Sequence, residues 1–420
     1  MAKDSVDRVL EELWSEWRGD AEPSAEPDSA AGVRDFYARA LSMADERYAR
    51  EQRGAPCSRF ICRAADFAIA RLTEGTAGEV PSLCWVATGG YGRGMLSPGS
   101  SVRLLALHRH EDPEKARDAA AQVTELLEES LPRAGVHVYE IGEAIERMRS
   151  DPMEAFATME TRRVGGAQET YSTFRRRVGE EFLPQSWGVV GMSALEESLA
   201  ERDPYTRSPY RTELDLKENT GCLRDVGTLQ KLADALLEVP RLDKYWETMG
   251  GAESGILTHP RRETLGAAHN ASRAPRNQLH FTRGSEFDTL EMKVQPAIAT
   301  ALGYTGDGEA EEGVEKLMSG LFRHTGNVAR ILRRVGERFD HLHAVAWTGT
   351  GPAKRRRLES GFVEVEGKVY NAASPPFDEE NRSRMMDVFL QAQRRHLPLS
   401  QDLLDQVSAH LELVDDDFRK

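Results

Sequence analysis

The chain has few cysteines and no long apolar run. Its 420 residues include four cysteines, and none of them forms a C-x-x-C pair. This usage argues against a disulfide framework or a zinc ribbon and favours reduced, buried thiols. No apolar segment approaches the roughly 18 residues that a membrane span needs. The N-terminus lacks the basic and then apolar pattern of a signal peptide. We therefore expect a cytoplasmic protein with no membrane partner.

The chain has fewer basic residues than acidic residues. The sequence has 55 Lys and Arg residues against 69 Asp and Glu residues, which gives a formal net charge of −14. This balance disfavours a general nucleic-acid or anionic-membrane binder. The basic run Lys354–Arg357 is short and typical of a solvated face. The overall composition, 40% hydrophobic and 30% charged, is that of a globular protein, and the length predicts two or more domains.

Hydrophobic periodicity divides the chain into four segments. Residues 1–31 contain an amphipathic helix followed by an acidic linker, and the helix either packs on its own domain or anchors a partner. Residues 32–150 alternate helices with strands, whereas residues 151–345 are mostly helical. Residues 346–420 contain a β-hairpin and two helices. Because the strand pattern fades near residue 150, we expect a domain boundary there.

A glycine-rich turn joins two apolar runs in the segment 84–110, CWVATGGYGRGMLSPGSSVRLLALHRH. The Rossmann fingerprint does not fit, because its third glycine would fall on Met95. A P-loop does not fit either, because no Lys-Ser/Thr pair follows the glycines. The turn fits a third design, in which Gly89 and Gly90 offer backbone N–H groups to a triphosphate. Arg93 can add a charge-assisted contact.

The turn resembles that of the polymerase-β-type nucleotidyltransferases, in which the next strand carries Asp-x-Asp, whose two carboxylates share one face and hold two magnesium ions. This sequence has Ser101 and Arg103 at those positions. A neutral hydroxyl and a permanent cation do not form a magnesium site. Three roles stay open for Arg103: it binds phosphate directly, it pairs with Glu140, or it is a solvated strand residue. No catalytic residue is therefore intact, and no metal ligand is assigned.

The segment Thr88–Leu107 resembles the nucleotidyltransferase domain of the bacterial PII-protein uridylyltransferases. That family's motif runs roughly G-G-Y-G-R-G-E-L-x-P-x-S-D-I-D-L-L, and this chain reads GGYGRGMLSPGSSVRLL. ELDLKENTGCLRDVGTL is similar to the family's second motif through Lys217, Arg224 and Asp225. ETRRVGG and GFVEVEGKVYN also stand where family members have comparable segments. The likeness runs collinearly over residues 30–415.

The resemblance implies an α/β (α+β) polymerase-β-type nucleotidyltransferase domain at 32–150, followed by a mostly α-helical substrate domain at 151–345. It implies nucleotide contacts at Gly89, Gly90, Arg93 and Ser100, and a nucleoside triphosphate and a PII-like or other protein as partners, with no nucleic acid. Magnesium is expected only if the site is active. Full-length members continue into HD and ACT domains, which we expect this chain, ending at Lys420, to lack.

Two functions follow from the resemblance. In the first, the protein has lost nucleotidyl transfer and acts in bacterial nitrogen signalling by binding a nucleotide or a protein. In the second, it is a divergent but active nucleotidyltransferase that modifies a protein. The second motif also has two interpretations. Lys217 or Arg224 reaches the nucleotide phosphates or a protein substrate, or else Arg224 and Asp225 form a network that fixes the loop after Gly221.

Overall fold

The structure is a computed structural model. It describes residues 3–20, 29–51, 54–74, 80–109, 113–131, 133–199, 208–238, 259–284, 287–304, 310–346, 356–365, 367–373 and 377–414. No helix among these residues is long and apolar enough to cross a membrane. The acidic linker predicted at 19–31 and the start of the basic run at residue 354 fall largely outside the described residues.

Helices dominate the described chain. The α-helices are α1 (Lys3–Asp20), α2 (Ala30–Glu51), α3 (Gly54–Thr73), α4 (Gly89–Gly92), α5 (Pro113–Ser130), α6 (Ile141–Ser150), α7 (Pro152–Thr158), α8 (Gln168–Arg177), α9 (Leu183–Leu199), α10 (Leu223–Glu238), α11 (His259–Arg283), α12 (Gln295–Ala301), α13 (Ala310–Ala346), α14 (Arg384–Arg395) and α15 (Gln401–Ala409). A π-helical turn at Val178–Phe182 joins α8 to α9, and 3-10 turns lie at Glu359–Gly361 and Leu411–Leu413.

Nine strands form three sheets in the described residues. They are β1 (Cys84–Thr88), β2 (Arg103–His108), β3 (Gly135–Glu140), β4 (Thr161–Gly166), β5 (Leu214–Asp215), β6 (Thr289–Leu290), β7 (Arg356–Arg357), β8 (Phe362–Val365) and β9 (Lys368–Asn371). The main sheet has the order β3-β2-β1-β4. β1 is antiparallel to β2 and β4, and β2 is parallel to β3. A mixed α/β region followed by a helical region confirms the predicted fold class.

The sheet extends beyond the boundary predicted at residue 150. β4 pairs along β1 from Thr88 opposite Thr161 to Cys84 opposite Gly166. Its sequence, TRRVGG, has one large apolar residue, so it carries little strand signal of its own and depends on pairing with β1. The strand pattern therefore fades before the sheet ends. A second difference lies further on, because the chain divides into compact units at Leu332 and Arg333 rather than at 345.

One face of the main sheet is covered by α2, α3 and α5. Trp85 and Ala87 of β1 and Leu104 and Ala106 of β2 point into this core and are fully or almost fully buried. Because strand side chains alternate between faces, Arg103 lies on the opposite face of the sheet. The α-helical side of the sheet is thus a packed core, and the other side carries the residue that replaces the second aspartate.

Helix α1 packs on its own unit. The Trp14 ring lies 5.1 Å from that of Phe36 and 5.7 Å from that of Phe67, both in edge-on contact. Leu10 and Trp14 are 1% and 4% exposed. Such burial of large apolar side chains stabilises the helix against its neighbours. The contacts favour the interpretation in which the apolar stripe serves the parent domain.

The helices after β4 surround the glycine turn. α11 packs on the end of α2, where the Tyr48 hydroxyl donates to the Ala274 carbonyl at 2.7 Å, and on the start of α3, where the Asn277 amide donates to the Gly54 carbonyl at 3.2 Å. The short strands β5 and β6 pair beside α12 and α13, and Leu214 and Leu290 are fully buried. These packing contacts place residues of α10 and α11 next to the turn.

The smaller unit begins at Arg333. β8 and β9 pair antiparallel, with Phe362 opposite Asn371, which confirms the predicted hairpin. The predicted closing helices are α14 and α15. Phe362, Val369 and Leu403 belong to one apolar cluster of this unit, so the hairpin and the helices share a core.

Candidate functional site

The glycine turn is a single helical turn at the end of β1. Gly89 has a φ of 58° and Gly94 a φ of 73°, both in the left-handed region that favours glycine. A Cβ at Gly92 would lie 2.1 Å from the Glu160 carbonyl oxygen, so no larger residue fits there. A Cβ at Gly89 would meet nothing within 4 Å. The turn is tight against β4 on one side and open at its first residue.

Arg93 turns back across this helical turn. Its guanidinium Nη1 donates to Oε2 of Glu160 at 2.7 Å. A Cβ on Gly90 would lie 3.9 Å from Nη2 of Arg93, and a Cβ on Gly227 of α10 would lie 2.9 Å from Nη1. Gly227 therefore makes room for the guanidinium, which lies between the turn and α10. The Arg93 guanidinium, which the sequence predicts to contact phosphate, thus lies beside Gly90. It already forms an ion pair with the Glu160 carboxylate.

Lys231 joins the same cluster from α10. Its Nζ lies 3.5 Å from Glu160 Oε2 and 4.4 Å from the centre of the Phe156 ring. Only 10% of the side chain is exposed. Burial lowers the pKa of Lys231, Glu160 partly offsets that effect, and the positive charges of Arg93 and Arg103 lower the pKa further. The cluster therefore has two cationic side chains on one carboxylate, and the charge of a third, Arg103, acts on the lysine.

Arg103 is the first residue of β2 and is exposed. It lies opposite Gly135 in β3. Glu140 lies at the other end of that strand pair, opposite His108. Its carboxylate accepts from the Gly142 backbone N–H at 2.7 Å and caps α6. The register therefore argues against an Arg103–Glu140 pair, and the charge of Arg103 acts on Lys231 instead.

Ser100 and Ser101 occupy different environments. The Ser100 hydroxyl accepts from the Ser97 backbone N–H at 3.1 Å and from Arg276 of α11 at 3.4 Å. Arg276 is itself held by Asp288, at 2.7 Å. These bonds fix the loop between the turn and β2. Ser101 is half-buried and lies two residues before the start of β2.

The second predicted motif is folded onto itself. Arg224 pairs with Glu218 at 2.7 Å and with Glu197 at 3.3 Å. Asp225 is fully buried, and its Oδ2 accepts from the Gly221 backbone N–H at 2.7 Å. The half-exposed Lys217 contacts Glu218 at 3.4 Å. The geometry favours a network that fixes the loop after Gly221, although Arg224 and Asp225 use different partners.

Sequence reasoning missed Glu160 and Lys231. Glu160 is the first residue of the quoted segment ETRRVGG, so the position was recognised but its chemistry was not. Lys231 follows the second motif by two residues and carries no pattern of its own. Both residues reach the turn only because β4 pairs with β1 and α10 packs beside it.

The donor set does not fit a two-metal centre. Magnesium needs several hard anionic oxygens, but the two strand positions hold Ser101 and Arg103. The carboxylate at the turn, Glu160, already contacts two cations. No group of three or more His, Cys, Asp or Glu side chains among the residues described is arranged to hold a metal ion. We therefore derive no step through magnesium.

Comparison with known proteins places this site in a family context. Residues 192–335 match the GlnD PII-uridylyltransferase family. The bifunctional uridylyltransferase/uridylyl-removing enzyme of Bradyrhizobium diazoefficiens is 26% identical over 389 residues, which are 88% of this chain and 41% of that protein. The Azospirillum brasilense enzyme of the same name is 27% identical over 88% of this chain and 40% of its own length.

A third relative, from Rhodopseudomonas palustris, has the same name and is 27% identical over 91% of this chain and 42% of its own length. The chain thus spans about two fifths of the length of the curated relatives it matches. The fold and the glycine turn define a nucleotidyltransferase-type domain followed by a helical domain. Residues 192–335 are thus similar to the GlnD PII-uridylyltransferase domain, and most of the chain is similar to these enzymes at low identity.

Proposed function

We propose that this protein is a regulatory relative of the PII uridylyltransferases that binds the phosphates of a nucleoside triphosphate without magnesium and without transferring the nucleotidyl group. The observation that carries this proposal is the cluster at the glycine turn. Arg93 and Lys231 both contact a single carboxylate, Glu160, and the positive charge of Arg103 also acts on Lys231. In an active site of the polymerase-β type, two carboxylates and two metal ions would occupy this place.

The charges explain why a phosphate is the expected ligand. The positive charges of Arg93 and Arg103 both act on Lys231, and one carboxylate neutralises only part of the combined charge. Burial lowers the pKa of Lys231, and the neighbouring positive charges lower it further, so the buried ammonium favours a negatively charged neighbour. A triphosphate supplies negative charge without needing a metal bridge, and guanidinium groups bind phosphate oxygens through charge-assisted hydrogen bonds.

A protein partner follows from the relatives. The matched family is described as acting on PII proteins, and the match extends over the helical region from 192 onward. We propose that a PII-like protein is the partner of this region. In this view, nucleotide binding at the turn reports to a protein partner rather than driving its modification.

Active transfer is the second candidate, and Glu160 favours it. This residue places one carboxylate beside the glycine turn, where it contacts Arg93 and Lys231. Transfer at this site would require further oxygens, from the nucleotide itself and from Ser101. The two candidates therefore differ in whether magnesium strengthens binding and whether pyrophosphate is released.

Calorimetric titration with UTP and ATP, each with magnesium and with EDTA, separates the candidates. We expect binding that persists in EDTA, and no pyrophosphate release in the presence of a PII protein. Magnesium-dependent binding together with pyrophosphate release would establish the second candidate. The absence of nucleotide binding under every condition would show that the turn has no phosphate function.

Two variants assign the result to the site. Arg103→Ala should weaken UTP binding in EDTA by about tenfold, the usual effect of losing one charge-assisted contact. Arg117→Ala is the matched control, because Arg117 is 58% exposed and pairs with Glu143 on the surface. The double change Ser101→Asp with Arg103→Asp should convert binding from magnesium-independent to magnesium-dependent.

A further inference from the structure

A second cationic site lies on the α-helical side of the glycine turn. It is a cavity of about 380 Å³ formed by α1, α2, α3, the end of the turn and β4. Five arginines line it, together with one carboxylate, Asp66. The same cavity has an apolar wall that includes Pro56 and Phe60. Arg162 of β4 lies opposite Ala87 and therefore points to the same face of the sheet as Ala87. Arg103 points to the other face.

Asp66, which lines the cavity, and the nearby Asp7 already accept hydrogen bonds from arginines. Asp66 is 8% exposed and accepts from both amino groups of Arg162, at 2.7 and 2.9 Å. It also accepts from the Tyr91 hydroxyl at 2.7 Å and from Arg63 at 3.2 Å. Asp7 of α1 accepts from Arg63 Nε at 2.8 Å. Two carboxylates therefore balance Arg63 and Arg162 and hold them in fixed positions, and Arg93 pairs with Glu160, which leaves the charges of Arg59 and, beside the cavity, Arg273.

Arg59 and Arg273 carry that remaining charge. Arg59 lines the cavity, is exposed, and has no carboxylate partner among the described residues. Arg273 of α11 is only 4% exposed. Its contacts are the neutral acceptors Met95 Sδ and His269 Nε2, and no described carboxylate pairs with it.

Arg273 lies near the cavity, because it contacts Met95, the residue that follows the cavity-lining Gly94. Burial lowers the pKa of Arg273 to about 9, and the positive charges of Arg93, Arg276 and Arg59 contribute. An uncompensated buried cation is costly unless an anion accompanies it. The surroundings of Arg273 thus point to a negatively charged occupant nearby.

We propose that this cavity binds a small phosphate-bearing molecule with an apolar part, of the size and chemistry of a nucleoside mono- or diphosphate. The guanidinium groups of Arg59 and Arg93 would contact the phosphate, and Pro56 and Phe60 would contact the apolar part. The site is separate from the proposed triphosphate site, since Arg103 and Lys231 do not line it. Arg93 is the residue that the two sites share.

Arginine modification maps the site directly on the full chain. Phenylglyoxal reacts with accessible arginines, and mass spectrometry reports each position. We expect UMP or ADP to protect Arg59, with inorganic pyrophosphate giving weaker protection because it lacks the apolar part. Equal protection by pyrophosphate and UMP would reduce the ligand to a simple anion and overturn the apolar half of the proposal. No protection of Arg59 by any of these probes would overturn it entirely.

Binding measurements on variants give an independent readout. Arg59→Glu should weaken UMP binding in EDTA by more than tenfold, because it replaces attraction with repulsion. Arg176→Glu makes the same change in net charge at a residue that is 58% exposed and pairs with Glu180, and it should bind as the unaltered protein does. If Arg59→Glu does not fold, Arg59→Gln should still lower the affinity about tenfold. Unchanged binding in either folded variant contradicts the proposal.

A further variant separates this proposal from the function proposed for the turn. Arg103→Ala should weaken UTP binding but leave UMP protection of Arg59 intact. If Arg103→Ala loses both UTP binding and the protection of Arg59 by UMP, one site accounts for all binding. That result would overturn the proposal of a second site and leave the proposed function standing. Retained protection of Arg59 in a protein that binds no triphosphate would overturn the proposed function and leave the second site standing.

Discussion

The glycine turn and the loop of the second motif differ in how their charges are balanced. At the second motif, Arg224 and Lys217 have carboxylate neighbours, and buried Asp225 accepts a backbone N–H. At the turn, Arg93 and Lys231 share Glu160, and the charge of Arg103 also acts on Lys231. Charged side chains that pair with one another stabilise a loop, whereas unbalanced charge at a site indicates that a ligand of opposite charge binds there. The two motifs resemble the same family, but their local electrostatics predict different roles.

Gly221→Ala should have the largest effect, because it breaks the second motif at its tightest point. Gly221 has a φ of 84°, and a Cβ there would lie 2.1 Å from the Thr325 carbonyl oxygen of α13. We expect a loss of about 3 kcal/mol or more in the free energy of unfolding, measured by urea denaturation. Gly320→Ala in α13 is the matched control, since nothing lies within 4 Å of its Cβ position. Equal stability of the two variants would refute this packing.

Lys231→Met tests the excess charge at the turn. The change keeps the long side chain against Phe156 and leaves Glu160 paired with Arg93 at 2.7 Å. We expect UTP affinity in EDTA to fall about tenfold, while stability changes by less than about 1 kcal/mol. Calorimetry and thermal unfolding measure the two quantities. A large loss of stability with unchanged affinity would make Lys231 a structural residue like Asp225.

The pH dependence of UTP binding should follow Lys231. Its pKa lies below the ordinary value of 10.5, so the ammonium loses its proton earlier than other lysines do. Phosphate needs the charged form, and affinity should therefore fall as pH rises through this lowered pKa. The stability of the ligand-free protein should change in the opposite direction, because the native state is relieved of a penalised charge.

Lys231→Arg is the control for that titration. The guanidinium stays charged over the whole alkaline range, so the fall in affinity that begins below the ordinary lysine pKa should disappear. A decline of the same size in this variant would assign the titration to a different group. The comparison uses calorimetric affinities for UTP in EDTA at each pH.

Arg224→Ala should have the smallest effect. Its side chain is 42% exposed, and both of its carboxylate partners are also partly exposed. Exposed ion pairs contribute little, so we expect a change of less than about 1 kcal/mol in stability. UTP affinity should not change. A tenfold loss of UTP affinity would instead give Arg224 the phosphate contact that the resemblance left open.

The first three strands of the main sheet and the amphipathic helices were predictable from the sequence. Their apolar periodicity is strong, and the turn between β1 and β2 is marked by four closely spaced glycines. β4 was not predictable in the same way, because TRRVGG offers one large apolar residue and becomes a strand only by pairing with β1. For that reason the domain boundary predicted near residue 150 lies before β4, the last strand of the main sheet.

The candidate site was predictable only in part. Arg93 and Arg103 were identified from their place in the motif. Glu160 and Lys231 lie 71 residues apart in the chain, yet Lys231 Nζ and Glu160 Oε2 are 3.5 Å apart. No local pattern encodes that meeting, because it depends on strand pairing at one residue and helix packing at the other.

The sequence by itself determined the family resemblance and the loss of the two aspartates, since both are matters of residue identity at fixed spacing. Only the tertiary structure decided what replaces them. β4 and α10 bring one carboxylate and a buried lysine to the turn, and α3 and α11 gather the arginines on the other side. Electrostatic balance depends on distances and burial, and these exist only once segments distant in the chain have packed together.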